Sequence, residues 1–258
     1  MCIAVFQWNP DAETPLLLAA NRDEHFERPT RSMHWWPRGN VLAGIDLKAN
    51  GAWLGVTRRG RFALITNIRN PAMRKAGAPS RGQIVRQYLE ATESAGEFIE
   101  GLAAKASQYD GFNLLCGSLG GDTRALWFLN SADGTPRLLD AGIYALSNAS
   151  LDTEWPKVRR IKAGFRHALA ERELVAQNER LFRLLANTTK VADHDLPQTG
   201  VPLDWERKLS SISVRRDGYG TRASTVMRLA HGKATVTELN HREDSAPGER
   251  NEFAFELQ

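Results

Sequence analysis

The spacing of apolar residues along the chain predicts strands grouped into hairpins, interrupted by two helical stretches. CIAVFQW (2–8) reads as one strand and PLLLAAN (15–21) as a second, joined through Asn9-Pro10-Asp11. GAWLGVTRRGRFALITN (51–67) reads as a hairpin turning at Arg59-Gly60. After a loop rich in Pro, Gly and basic residues (71–79), Ser80 is placed to cap a helix running through Tyr88 and Leu89, and a second helix covers 95–106. Strands resume with FNLLCGS (112–118), RALWFLN (124–130) and GIYALSN (142–148). Val158, Ile161, Phe165 and Leu169 recur at helical spacing behind Asp152 or Thr153 as cap and Pro156 in the first turn, and a further helical pattern runs to about 185. Residues 190–210 read as an irregular connection, after which STVMRLA, KATVTEL and EFAFEL alternate like strands. Hairpin-grouped strands with helices between them predict an α+β fold of antiparallel sheets, organised as one domain over residues 1–258.

Composition narrows the function more than the fold. Lys plus Arg number 34 and Asp plus Glu 30, a net charge of +4 spread along the chain, which argues against a nucleic-acid or membrane-surface partner. The apolar run 16–20 falls well short of the ~20 residues that cross a bilayer, and the opening residues lack a signal-peptide pattern. Two cysteines make no disulfide framework, so a cytoplasmic protein with reduced thiols is expected. The six histidines stand at no metal-ligand spacing, and neither a metal nor a resident cofactor is expected. GYGTRA (218–223) matches a dinucleotide fingerprint by letter, but a strand-like run follows where the mechanism needs a helix. CGSLG (116–120) has Cys116 where a nucleophile elbow needs its first glycine.

Cys2 is the residue with chemistry to explain. Once Met1 is removed, Cys2 carries both a thiol and an α-amine, whose ordinary pKa values of about 8.5 and about 7.7–8.0 lie close together. One residue then supplies nucleophile and base. A cysteine heading an apolar strand is otherwise a small buried residue. The partners such a site needs are polar residues at strand ends: Asn21, Arg22, Asp23 and Glu24 in NRDE, Asn67, Asn148 and Arg222. His34, Trp35 and Trp36 in MHWWP could instead stack on or ligate a flat apolar ligand.

Cys2, NRDE (21–24), GAWLG (51–55), TN (66–67), LSN (146–148), DTEWPKV (152–158), DLPQTG (195–200) and YGTRAST (219–225) together resemble the NRDE family, that of transport and Golgi organisation protein 2. The resemblance spans nearly the whole chain and implies a cysteine-branch N-terminal-nucleophile hydrolase fold, a four-layer αββα sandwich. By similarity to the bile-salt hydrolases and penicillin V acylases of that branch, Cys2 is the nucleophile, flanked by Arg22 and Asp23. Asn67 and Asn148 supply oxyanion amides and Arg222 is the distal arginine. In the acylases two residues separate the flanking Arg and Asp, whereas here they are adjacent. Asn21 and Glu24 keep that spacing with other residue types. Neighbours on a strand face opposite ways, so Arg22 and Asp23 are expected to meet at Cys2 only if the strand breaks or bulges. The function implied is an amidohydrolase acting on a small amide or N-acyl substrate. The alternative is a non-catalytic binding or trafficking protein for an apolar ligand such as haem or a lipid.

Overall fold

The computed structural model describes residues 2–120, 124–243 and 247–258; Met1, on whose removal the role expected of Cys2 depends, lies outside them. In chain order the strands and helices are β1 (Cys2–Trp8), β2 (Leu16–His25), β3 (Thr30–Trp35), β4 (Val41–Asp46), β5 (Leu54–Thr57), β6 (Arg61–Asn67), α1 (Gly82–Glu90), α2 (Ala95–Ala103), β7 (Phe112–Ser118), β8 (Ala125–Asn130), β9 (Arg137–Leu138), β10 (Gly142–Leu146), α3 (Pro156–Leu169), α4 (Leu174–Leu185), α5 (Leu203–Lys208), β11 (Arg215–Arg216), β12 (Tyr219–Ala230), β13 (Lys233–His241) and β14 (Pro247–Glu256). They form two seven-stranded antiparallel sheets. One runs β10-β1-β2-β12-β13-β14 with β11 against β12, and the other runs β3 to β9 in sequence order.

β1 shows why both sheets are covered on both sides. Ala4, Phe6 and Trp8 point into the core shared with the second sheet, while Ile3 and Val5 point into a separate core with Val158, Ile161 and Phe165 of α3 and Leu181 and Leu185 of α4. A strand buried on both faces reads as an unbroken apolar run, as CIAVFQW does. On the far side of the second sheet, α1 packs against β5 and β6, and α2 against β7 and β8. The layers are therefore helix, sheet, sheet, helix, the αββα sandwich that the resemblance implies.

Several boundaries move for local reasons. β2 does not stop at Asn21 but carries NRDE to His25, because β12 pairs with it along that whole length. Met33, His34 and Trp35 of MHWWP lie in β3, paired with β4 through an irregular register between Arg31 and His34. Arg81, not Ser80, occupies the cap position of α1. Asp152 and Thr153 do not cap α3; Asp152 accepts the Ala145 N–H at 2.8 Å and Thr153 the Ser150 N–H at 3.0 Å, closing a turn, and Trp155 takes the cap position. The connection read as irregular contains the short α5.

The two sheets are joined at one end by a buried polar network. Thr66 Oγ1, at the end of β6, donates to the carbonyl of Ser147 just past β10 at 2.7 Å. Asn113 of β7 donates to Thr66 Oγ1 at 3.1 Å and to the Ala149 carbonyl at 2.9 Å, and Asn130 of β8 donates to Asn113 Oδ1 at 2.8 Å. The 147–149 segment of one sheet is thus held by three strands of the other. Replacing Asn113 by Ala strands part of this network in a dry interior, and should cost about 2–4 kcal/mol of unfolding free energy. Urea denaturation of both proteins checks this, and a loss of under about 0.5 kcal/mol, the size of an ordinary surface substitution, would show that the network does not hold the sheets.

Candidate functional site

β1 begins at Cys2, paired with Arg22, so among the described residues Asp23, Glu24 and His25 of β2 pair only with β12 on their other side. A cleft of about 700 Å³ opens there, lined by Cys2, Arg22, Asp23, Glu24, Trp53 and Asn67 among others. The strand end resolves the question of the adjacent Arg and Asp. β2 keeps its alternation: Arg22 lies on the face toward the second sheet, its guanidinium stacked 4.3 Å from the Trp53 ring, and Asn21 points the other way, toward α4. The register irregularity sits instead in β12, between Thr221 and Ala223, at Arg222. Neighbours of opposite orientation share one cleft because it wraps round the open edge of β2.

Each side chain has a local cause for its place. Trp53 can lie over β4 because Gly44 has no side chain; a Cβ there would come within 2.1 Å of the indole. Arg22 also donates to Thr30 Oγ1 at 3.3 Å. Asp23 is buried, accepts from Thr221 Oγ1 at 2.7 Å, and its carbonyl accepts from the Tyr219 hydroxyl at 3.3 Å. Burial pushes its carboxyl above the ordinary range, against the pull of the Lys157 ammonium and its own hydrogen bond to Thr221. For Glu24 burial acts in the same sense, but the positive charge of the chain's amino terminus, the His25 N–H at 3.0 Å and the charges of Arg22 and Arg28 together outweigh it and hold that carboxyl low. Cys2 is partly exposed as a residue, yet burial of its thiol is the largest influence and raises its pKa; Asp23 adds to the rise, and Arg22 and the Asp23 backbone N–H oppose it.

Asn67 lines the cleft and Asn148 stands behind it. Asn148 Nδ2 donates to the Asn67 carbonyl at 3.1 Å and to Asn67 Oδ1 at 3.2 Å, which turns the Asn67 Nδ2 away from Asn148. Ser147 Oγ donates to the Cys2 carbonyl at 3.1 Å, tying the Cys2 backbone to the same segment.

The remaining sequence candidates lie elsewhere. Asn21 spends its amide on the scaffold, donating to the carbonyls of Leu185 and Ile212 at 2.8 and 3.0 Å and accepting from Ser224 at 2.6 Å. Arg222 donates to the carbonyls of His25, Phe26 and Arg28 at 2.8–3.2 Å, clamping the turn after β2 and not lining the cleft. His34, Trp35 and Trp36 also lie off this cleft. His34 Nδ1 meets the Ser32 carbonyl at 2.8 Å, Trp35 packs edge-on against Phe255, and Trp36 is buried beside a separate hollow near α1.

Three buried residues are absent from the sequence candidates. Lys157, in the first turn of α3, is buried; burial first, then repulsion from Arg69, bring its ammonium down from 10.5 to about 7, while Asp23 and Cys2 pull it back up. Arg69, two residues beyond Asn67, lines the cleft and forms an ion pair at 3.1 Å with Glu206 of α5. Lys157 sits inside DTEWPKV, the one signal that could have singled it out. Arg69 follows TN at a fixed offset, and Glu206 carries no motif. Cys116 is buried in the core of β7. Among the described residues no group of three or more His, Cys, Asp or Glu could hold a metal ion, and no helix is long and apolar enough to cross a membrane.

Comparison with known proteins places these motifs. The model of the family described as Transport and Golgi organisation 2 matches residues 1–243. The bovine Transport and Golgi organization protein 2 homolog is 32% identical over 256 residues, covering 92% of each chain. The human homolog is 31% identical over 278 aligned positions, covering both chains in full. Among solved structures, a Caenorhabditis elegans N-acylethanolamine-hydrolyzing acid amidase ortholog superposes with a TM-score of 0.46 at 11% identity, over 88% of this chain and 92% of that one. A family match over residues 1–243, with relatives above 30% identity along almost their full length, establishes that the chain belongs to the Transport and Golgi organisation 2 family.

Proposed function

We propose that the protein is a cysteine N-terminal-nucleophile amidohydrolase, which cleaves a small amide or N-acyl substrate after Met1 has been removed. The observation that carries this reading is the convergence of Cys2, Arg22, Asp23 and Asn67 on one cleft at the open edge of β2. Each supplies a part that acyl transfer needs.

In this reading the α-amine of Cys2 accepts the thiol proton, and the thiolate attacks the substrate carbonyl carbon. The Asn67 Nδ2 donates to the oxyanion that forms, with Asn148 fixing its direction from behind. Collapse breaks the carbon–nitrogen bond, and the departing nitrogen takes the proton held by the α-amine. Water then attacks the thioester, returning the thiol and releasing a carboxylic acid. Arg22 offsets the negative charge of the thiolate and Asp23 where water is scarce, and Lys157 adds to this while it keeps its proton, up to about pH 7. Burial raises the thiol pKa, so the cation and the adjacent amine are what make the thiolate accessible near neutrality.

Intact-mass spectrometry tests the chemistry. Protein beginning at Cys2 should gain one acyl group from a p-nitroanilide of a short carboxylic acid, and Cys2→Ala protein and protein retaining Met1 should gain none. Equal labelling of the three would overturn the reading. Asn67→Ala should lower kcat by about 10²–10³-fold with a much smaller change in KM; an effect confined to KM would remove Asn67 from the oxyanion role.

Lys157 gives a pH signature of its own. Unfolded, its amine keeps a proton up to its ordinary pKa of 10.5, whereas folded it releases the proton above about 7. Between these values the unfolded state binds more protons, so this group makes stability rise with pH. Unfolding free energies of the native protein and Lys157→Met, compared from about pH 6.5 to about pH 9.5, should diverge in favour of the native protein as pH rises. A difference that stays constant over that range would contradict it.

A further inference from the structure

Arg69 is a buried cleft residue to which the proposed hydrolysis gives no role. It is 5% exposed, yet it lines the cleft. Its guanidinium lies over the Trp155 ring, 4.6 Å from the centroid, which fixes its plane. Its backbone N–H donates to the Asn148 carbonyl at 2.7 Å, so the network that ties down Cys2 and Asn67 also sets its position. The Glu206 contact is Coulombic and not a hydrogen bond. Arg69 Nε and Nη1 and Glu206 Oε2 are each buried with no hydrogen-bond partner among the described residues. Glu206 is itself held through its other oxygen, which accepts from the Thr199 N–H at 2.9 Å and its hydroxyl at 2.5 Å. A buried guanidinium with unanswered donors is costly to maintain for stability alone.

We propose that the substrate carries a carboxylate and that Arg69 binds it, making the protein a hydrolase of carboxylate-bearing amides such as N-acyl amino acids. This rests on the amidohydrolase reading. Guanidinium–carboxylate pairing satisfies the planar donor array that Glu206 leaves unfilled. Of the other cleft arginines, Arg28 is paired with Asp46 at 2.6 Å, Arg81 donates to the Gly111 carbonyl at 2.9 Å, Arg22 stacks on Trp53 and Arg74 is exposed, so Arg69 is the one whose donors are both buried and unanswered. Trp53, Met73 and Trp205, which also line the cleft, offer an apolar surface for the rest of the molecule.

Calorimetry on Cys2→Ala protein separates binding from turnover. N-benzoylglycine and N-phenylsuccinamic acid place the carboxylate on the amine side and on the acyl side of the amide, and each is paired with its uncharged carboxamide. At least one acid should bind about 10- to 100-fold more tightly than its carboxamide. Arg69→Lys should weaken that preference, and Arg69→Met should erase it while leaving the carboxamide unchanged. Since Arg69→Met leaves Glu206 buried without its cation, the double variant Arg69→Met/Glu206→Gln is measured alongside, with thermal melting to report folding. Equal affinity for acid and carboxamide, binding of neither acid, or a preference that survives loss of Arg69 in a folded variant would each overturn the assignment. A preference that depends on Arg69 in a protein that never acylates at Cys2 would sink the hydrolase reading and leave Arg69 as a carboxylate site. Acylation without any preference would do the reverse.

Discussion

The seam between the ends of β6 and β10 sets the geometry of everything at the cleft. Thr66, Asn67 and Arg69 leave one sheet, Ser147 and Asn148 leave the other, and side-chain and backbone hydrogen bonds lock the two segments together in the interior. Cys2 is attached to the same seam through its carbonyl. Two sheets packed only by apolar contact can slide, because hydrophobic attraction has no direction. Hydrogen bonds between buried groups do have direction, and an unmade one is expensive, so the seam admits one register. That constraint converts a generic sandwich into a scaffold where a residue at the end of β1 meets residues from β2 and β6.

The open edge of β2 is the second half of that geometry. Within a fully paired sheet, adjacent residues belong to different compartments, and here Asn21 and Ala20 do: one holds α4, the other faces the second sheet. Where β1 begins, the compartments merge, and Arg22 and Asp23 reach a common space without any distortion of their own strand. The bulge in β12 has another use. It turns Arg222 toward three carbonyls of the turn after β2, so the end of the NRDE strand is held from its far side.

Much of this architecture is legible in residue order, because both sheets are buried on both faces and their strands read as apolar runs. CIAVFQW and FNLLCGS coincide with β1 and β7 to the residue. The misreading at NRDE has a physical cause: polar residues inside a regular strand. NRDE looks like the end of a strand because three of its four residues carry charge, yet pairing with β12 and a solvent-poor cleft keep it extended and Asn21, Arg22 and Asp23 buried. At the site, residues next to recognisable motifs could be named in advance. The division of labour between Asn67 and Asn148 could not, since two strand-end asparagines look alike until one is found donating to the other.

Arg69, Glu206 and Lys157 were out of reach for a different reason. Their importance lies in contacts between β6, α3 and α5, separated by long stretches of chain. Burying Lys157, Arg69, Asp23 and Glu206 within reach of one another's charge works against stability, since each loses its hydration and Coulombic pairing restores only part of it. The direction of each shift carries that cost: Lys157 and Arg69 are pushed toward their neutral forms by burial, and so is Asp23. A fold held for stability alone would place such groups on its surface, as it does with Arg159 and Glu154. Charges kept in the interior against that cost, close to the Cys2 thiol, mark this end of the sandwich as its candidate functional site.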